Sequence, residues 1–269
     1  MKIKQAISLL LIILTFSFAA CSSDDSVNNN ASRIKSILRQ DYVGDQWYNT
    51  YKTTYNYEGN NTMMSSSLFQ TASGENWIDA KRSTYTLSDS GHASEQIDQK
   101  LRYISESGPL AWVNDMRHTF TYNASGKLVK EEQEVWTSDN NWLLRYKTDY
   151  IYDNNAFLIS KEYSDWYPVP LLWDTYEKLV YTNNAEGKPV YTECFNNGEL
   201  LYNETTTYDA DGFFLMSEQL SEAFHGTTYV SVRTEQTTLS NGNIDVINKT
   251  YYDDNGNITQ QSRFVYEYD

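Results

Sequence analysis

The chain is short of the residues from which active sites are usually assembled. It has two cysteines, three histidines and four prolines in 269 residues. His92, His118 and His225 fall on separate segments with no metal-ligand spacing, so the sequence offers no zinc motif. Neither a Gly-x-Ser-x-Gly elbow, nor a phosphate loop, nor a dinucleotide fingerprint is present, which leaves no cofactor to expect. Basic residues are scarce: 21 Lys and Arg stand against 36 Asp and Glu. A surface this acidic repels phosphate backbones and excludes nucleic acid as a partner. Helical periodicity is missing as well. Asp209-Ala-Asp-Gly212 and Asp253-Asp-Asn-Gly-Asn257 lack the further ligands of a calcium loop, and their residues are the ones tight turns need. The expectation is a protein that is not an enzyme.

The first twenty residues stand apart. Lys2 and Lys4 precede a short apolar run that ends in Ala19 and Ala20, too short to span a bilayer comfortably. Phe18-Ala19-Ala20-Cys21 resembles the lipobox of bacterial lipoproteins. That resemblance implies cleavage before Cys21, acylation of its sulfur and new amino group, and attachment to a membrane through this lipid alone. Residues 1–20 are then a signal peptide, residues 21–32 a lipidated cysteine with a polar tether, and residues 33–269 a single domain. The eleven residues after Cys21 reach about 36 Å when extended. Ser22 in place of aspartate fits delivery to the outer membrane, and Ser22-Ser23-Asp24-Asp25 resembles the acidic export signals of Bacteroidota surface lipoproteins. Removing Lys2 and Lys4 leaves 19 basic against 36 acidic residues, a net of −17. With Cys21 acylated, Cys194 has no disulfide partner and reads as a small buried hydrophobe.

What the chain does have is a period. An aromatic anchor is followed ten residues later by Tyr or Leu and then a short Asn/Asp/Gly turn: Trp47 to Tyr57, Trp77 to Leu87, Trp112 to Tyr122, Trp142 to Tyr152 and Tyr229 to Leu239. A repeat of roughly 30 residues means one supersecondary unit copied many times. Between the turns lie segments of about ten residues rich in Tyr, Thr, Val and Trp, alternating with period two. These number sixteen, so the fold expected is all-β: an antiparallel up-and-down meander of about sixteen strands, closed or nearly closed into a barrel. Four-residue turns such as Asn123-Ala-Ser-Gly126 end at a left-handed position that suits glycine, so Ala156 in Asp153-Asn-Asn-Ala156 is expected to be mildly strained.

If Tyr122 faces Lys127 across its turn, Arg117 faces Glu132; the same count sets Lys147 opposite Glu162 and Lys178 opposite Glu193. Such pairs penalise slipped registers more than they stabilise. The alternating row Trp142, Leu144, Tyr146, Thr148, Tyr150 and Tyr152, with its counterparts from Trp112 and Trp47, is expected to face inward. A porin-like arrangement with the charged row inside remains open on the sequence. Charges on both faces leave no clean apolar band for insertion in a bilayer.

Thr119-Phe-Thr-Tyr-Asn-Ala-Ser-Gly-Lys-Leu128 and Thr207-Tyr-Asp-Ala-Asp-Gly212 resemble the tyrosine–aspartate repeat of the RHS family, whose repeats wind into a hollow β shell. Together with the lipobox, the pattern also resembles Bacteroidota lipoproteins of unknown function with a porin-like β fold. The resemblance implies architecture and carries over no functional residue. Two functions fit this frame. One is a surface-anchored binding module for a glycan or other ring-bearing ligand, with Trp47, Trp77, Trp112, Trp142 and Trp173 as candidate ligand-facing residues. The other is a structural scaffold that docks another envelope protein.

Overall fold

A computed structural model of the chain describes residues 33–58, 64–104, 108–168, 172–222, 228–239 and 242–269. Cys21, the leader and the tether lie outside the described residues. The strands are β1 (Ile34–Val43), β2 (Gln46–Tyr57), β3 (Met64–Ser73), β4 (Asn76–Leu87), β5 (Ala93–Tyr103), β6 (Leu110–Tyr122), β7 (Leu128–Trp136) and β8 (Trp142–Tyr152). They continue as β9 (Leu158–Tyr167), β10 (Leu172–Asn183), β11 (Pro189–Asn196), β12 (Glu199–Tyr208), β13 (Phe214–Glu222), β14 (Thr228–Thr238), β15 (Ile244–Tyr252) and β16 (Ile258–Tyr268). All sixteen pair antiparallel with their sequence neighbours, and β16 pairs with β1, so the meander closes into a barrel as expected.

Among the described residues, eight five-residue turns share one design. The amide of the first residue donates to the carbonyl of the fifth, and the fourth amide donates back to the first carbonyl, as in Asn123 with Lys127 and Gly126 with Asn123. Where the first residue is Asn or Asp, its Oδ1 also accepts two amides; Asp153, for instance, takes those of Asn155 and Phe157. This second role of the side chain is why Asn and Asp open these turns. The fourth residue is left-handed: Gly187 has φ +79° and Ala156 has φ +63°. At Gly187 a methyl group would also overlap the Phe157 ring of the preceding turn. Ala156→Gly should therefore raise stability by about 0.5–1 kcal/mol. The midpoint of urea unfolding reads this gain, and an unchanged or lower midpoint contradicts it.

Every one of the sixteen ladders carries a register shift, and this corrects the expected ion pairs. Tyr122 faces Leu128, not Lys127, because the turn spends five residues. Thr121 then faces Lys130, with Val129 bulged out between. Both effects push the register in the same direction. Arg117 consequently faces Glu134 while Glu132 faces Thr119. Lys147 faces Ser164 on one side and Glu132 on the other, and Glu162 faces Asp149 and Lys178. Lys178 faces Phe195, and Glu193 faces Val180.

Burial settles which wall is which. Asp98, Thr148, His118 and Glu131 are 1%, 3%, 6% and 8% exposed, so their side chains point inward. Their chain neighbours Arg117, Lys147, Lys130 and Glu132 alternate to the outer wall. The charged row is thus outside and the row Tyr146, Thr148, Tyr150 inside. The interior is not a hydrophobic core, however. Among the described residues, thirteen polar or charged side chains are buried against four hydrophobic ones, Ile37, Tyr150, Cys194 and Tyr266.

Candidate functional site

The five candidate tryptophans do not face inward. Each sits near the start of an even-numbered strand, at the rim opposite Ile34 and Tyr268, and each is half-buried. Three residues beyond each tryptophan lies a bulge, at Thr50, Ala80, Asp115, Arg145 and Tyr176. A bulge adds one residue and inverts the alternation beyond it. Residues four apart that share a face in a regular strand, such as Trp142 and Tyr146, end on opposite walls. Residues five apart end on the same wall. The tryptophans therefore join the outer row, against the expectation for Trp47, Trp112 and Trp142.

This inversion organises a motif invisible to period-two reading: Trp-x4-Lys/Arg. It occurs as Trp47 and Lys52, Trp77 and Arg82, Trp112 and Arg117, Trp142 and Lys147, and Trp173 and Lys178. The cation of one even strand lies over the indole of the next. Arg82 is 4.8 Å from the Trp112 ring centroid, Arg117 is 5.1 Å from Trp142, and Lys147 Nζ is 5.0 Å from Trp173. Across the closure, Arg263 of β16 lies 4.5 Å from the Trp47 ring. Aromatic neighbours on the odd strands fill in the belt, with ring centroids 5.2 Å apart for Tyr42 and Trp47, 4.9 Å for Trp136 and Trp142, and 5.1 Å for Trp166 and Trp173. Trp77 faces Ala72 in the same band.

Below the belt the outer wall carries ion pairs. Arg117 Nε donates to Glu134 at 2.5 Å, Lys178 Nζ lies 2.8 Å from Glu162, and Lys147 Nζ lies 2.7 Å from Asp149. Lys130 holds Glu132 at 2.9 Å. Of the six register residues, five are in outer-wall ion pairs: Arg117 with Glu134, two residues from the expected acid, Glu162 with Lys178 across another ladder, and Glu132 and Lys147 with Lys130 and Asp149 of their own strands. Glu193 has none of the expected cations opposite it.

The inner wall holds a second constellation, running from β4 to β8. Asp98 accepts from Ser83 Oγ at 2.6 Å and from Gln96 Nε2 at 2.8 Å, and Lys81 Nζ lies 2.6 Å away. His118 Nε2 approaches Asp98 Oδ2 at 3.4 Å, an ionic contact too long for a strong hydrogen bond, while its Nδ1 lies 2.8 Å from Glu131. Gln133 and Tyr150 donate to Glu131 at 2.9 and 3.3 Å. Burial opposes charge on His118, but the two carboxylates outweigh it and raise its pKa to about 9. Burial likewise opposes charge on Asp98, yet His118 and Lys81 hold its carboxyl far below the usual range. Asp98, His118 and Glu131 of this ion network are buried, while the Lys81 side chain is 26% exposed. Sequence reasoning missed it because its contacts are diagonal: His118 faces Gln96 and Gln133, and reaches the acids two residues along. Cys194 is fully buried, and burial, with Glu177 adding, pushes its thiol up to about 11, so it is inert.

No family model and no curated protein matches the chain. Among solved structures it is similar to a porin-like protein from Bacteroides uniformis, at 10% identity over 88% of this chain and 98% of that one, with a TM-score of 0.52. A porin-like protein from Bacteroides vulgatus aligns at 11% identity over 88% and 99% of the two chains, with a TM-score of 0.39. A DUF3836 family protein from Bacteroides vulgatus aligns at 19% identity over 36% of this chain and 91% of its own, with a TM-score of 0.30. The likeness to the Bacteroides uniformis protein shows a shared fold. The fold is that of a porin-like β-barrel.

Proposed function

We propose that this chain is a lipid-anchored outer-membrane protein, displayed at the cell surface, whose barrel binds glycans without transforming them. The observation that carries the reading is the outer belt of tryptophans. If these rings served only to pack the repeat they would be buried, yet no tryptophan is among the buried residues described. Each ring held under a cation keeps one tilt before any ligand arrives, which lowers the entropy lost on binding. Platforms on alternate strands stand about 9.6 Å apart, two ladder steps, comparable with the length of a disaccharide. The Asp98–His118–Glu131 cluster lies on the inner wall, away from the tryptophan platforms, and is read as structural.

A glycan array followed by calorimetry tests this. Trp142→Ala should weaken binding about 10- to 30-fold, the effect of removing a central aromatic anchor worth roughly 1.5–2 kcal/mol. Absence of binding to any glycan, with capture of an envelope protein instead, would favour the scaffold reading.

A further inference from the structure

We infer that one arc of the belt, from β16 to β6, is built for a uronate-bearing glycan; this rests on the glycan reading above. The argument comes from a substitution repeated within the chain. Below Trp142, the cation Arg117 faces Glu134 and is neutralised by it, with both Nε and Nη2 on the same carboxylate oxygen. At the corresponding ladder positions of the arc the acid is replaced by an amide: Lys52 faces Gln70, Arg82 faces Gln99, and Arg263 faces Gln40.

The amides orient the cations without cancelling their charge. Arg82 Nε donates to Gln99 Oε1 at 2.6 Å, and Arg263 Nε donates to Gln40 Oε1 at 2.6 Å. Each glutamine is held with its oxygen toward the arginine because its nitrogen is engaged elsewhere. Gln99 Nε2 donates to Asn114 at 2.9 Å and Gln40 Nε2 to Asn49 at 2.7 Å. Those asparagines stand two residues beyond Trp112 and Trp47, so ring, amide and guanidinium form one unit used twice. Among the described residues only Nε of each arginine is hydrogen-bonded, which leaves the paired Nη groups for an outside acceptor. Two N–H groups on a planar fork match a carboxylate.

Lys52 lies between the two units. Its partner Gln70 donates to Asp79 at 2.8 Å, and Glu267 of β16 lies within the electrostatic reach of Lys52, so it is Arg82 and Arg263, each held by an amide, that carry the site. The chain as a whole is acidic, but at physiological ionic strength the Debye length is about 8 Å, and a ligand on the wall feels mainly this local set. An acidic sugar whose ring stacks on Trp47, Trp77 or Trp112 would bring its carboxylate toward the neighbouring cation. A neutral sugar would leave those Nη groups to water.

The probe is an oligogalacturonide compared with its methyl ester, which has the same rings without the charge. The acid should bind at least 10-fold tighter, and the difference should shrink as salt rises. Gln99→Glu, which rebuilds the Arg117–Glu134 arrangement around Arg82, should cost about 10-fold for the acid and little for the ester, with the unfolding midpoint unchanged. Gln40→Glu should act alike, and Glu134→Gln should tighten the acid. Equal affinity for acid and ester, or indifference to Gln99→Glu, overturns the uronate assignment while leaving glycan binding in place. Failure to bind either oligomer or any other glycan overturns both.

Discussion

Replacing Asp98 with alanine should lower the unfolding free energy by about 3–5 kcal/mol, the cost of stranding buried charges without their partner. Asp98 is 1% exposed and satisfies Ser83, Gln96 and Lys81 while facing the His118 imidazole. For a domain of this size the thermal midpoint should drop by roughly 10 °C. Asp149→Ala is the matched control. Asp149 also pairs with a lysine, but its side chain is 34% exposed on the outer wall, and such pairs contribute below about 1 kcal/mol. Equal losses in the two variants would mean that the inner cluster is no more than a set of surface-like pairs.

Stability should also fall between pH 6.5 and 9. The pKa of His118 is raised from its ordinary 6.5 to about 9 in the folded chain. A raised histidine favours the fold fully below its unfolded value, and that favour is lost as pH rises through the folded value. A rise of this size corresponds to about 3 kcal/mol. The groups facing the imidazole are Asp98, Glu131, Lys81, Gln96 and Gln133, and Asp98, held far below its usual range, stays ionised throughout this window. Chemical denaturation at pH 6.5, 7.5 and 9 reads the loss. In His118→Gln the profile should be flat over the same range. A wild-type profile already flat there would contradict a protonated His118 at neutral pH.

How much of this was legible depends on which residues each feature demands. Turns were legible because their chemistry is restrictive: Asn123 or Asp153 must supply an acceptor for two amides, and the fourth position must tolerate a positive φ. Strand number and closure followed from the turns. Bulges were not legible, because they impose no common side chain. The bulged positions after the five tryptophans are Thr50, Ala80, Asp115, Arg145 and Tyr176, which share no property. Missing them put the tryptophans on the wrong wall, and missing the bulge after each turn, as at Val129, together with the fifth turn residue, moved the expected ion-pair register by two residues. The aromatic repeat was visible, and the amides set beside its cations were not. Gln40, Gln70 and Gln99 acquire meaning only when set beside Glu134 in the same register.

The ladder between β1 and β16 differs from all the others in one respect. Every other ladder joins neighbours in sequence and can form as an isolated hairpin, whereas this one links Lys35 to Glu267 across 232 positions. It is a seam, and it can be sewn only after the ribbon has come round. The entropy of bringing such distant segments together rises only as the logarithm of the intervening length, so the penalty is modest in free energy. Its weight falls on time: assembly from local hairpins is quick, and the last stitch waits on a rare encounter. Until then two raw margins, Ile34–Val43 and Ile258–Tyr268, offer their unpaired backbone to any other strand nearby.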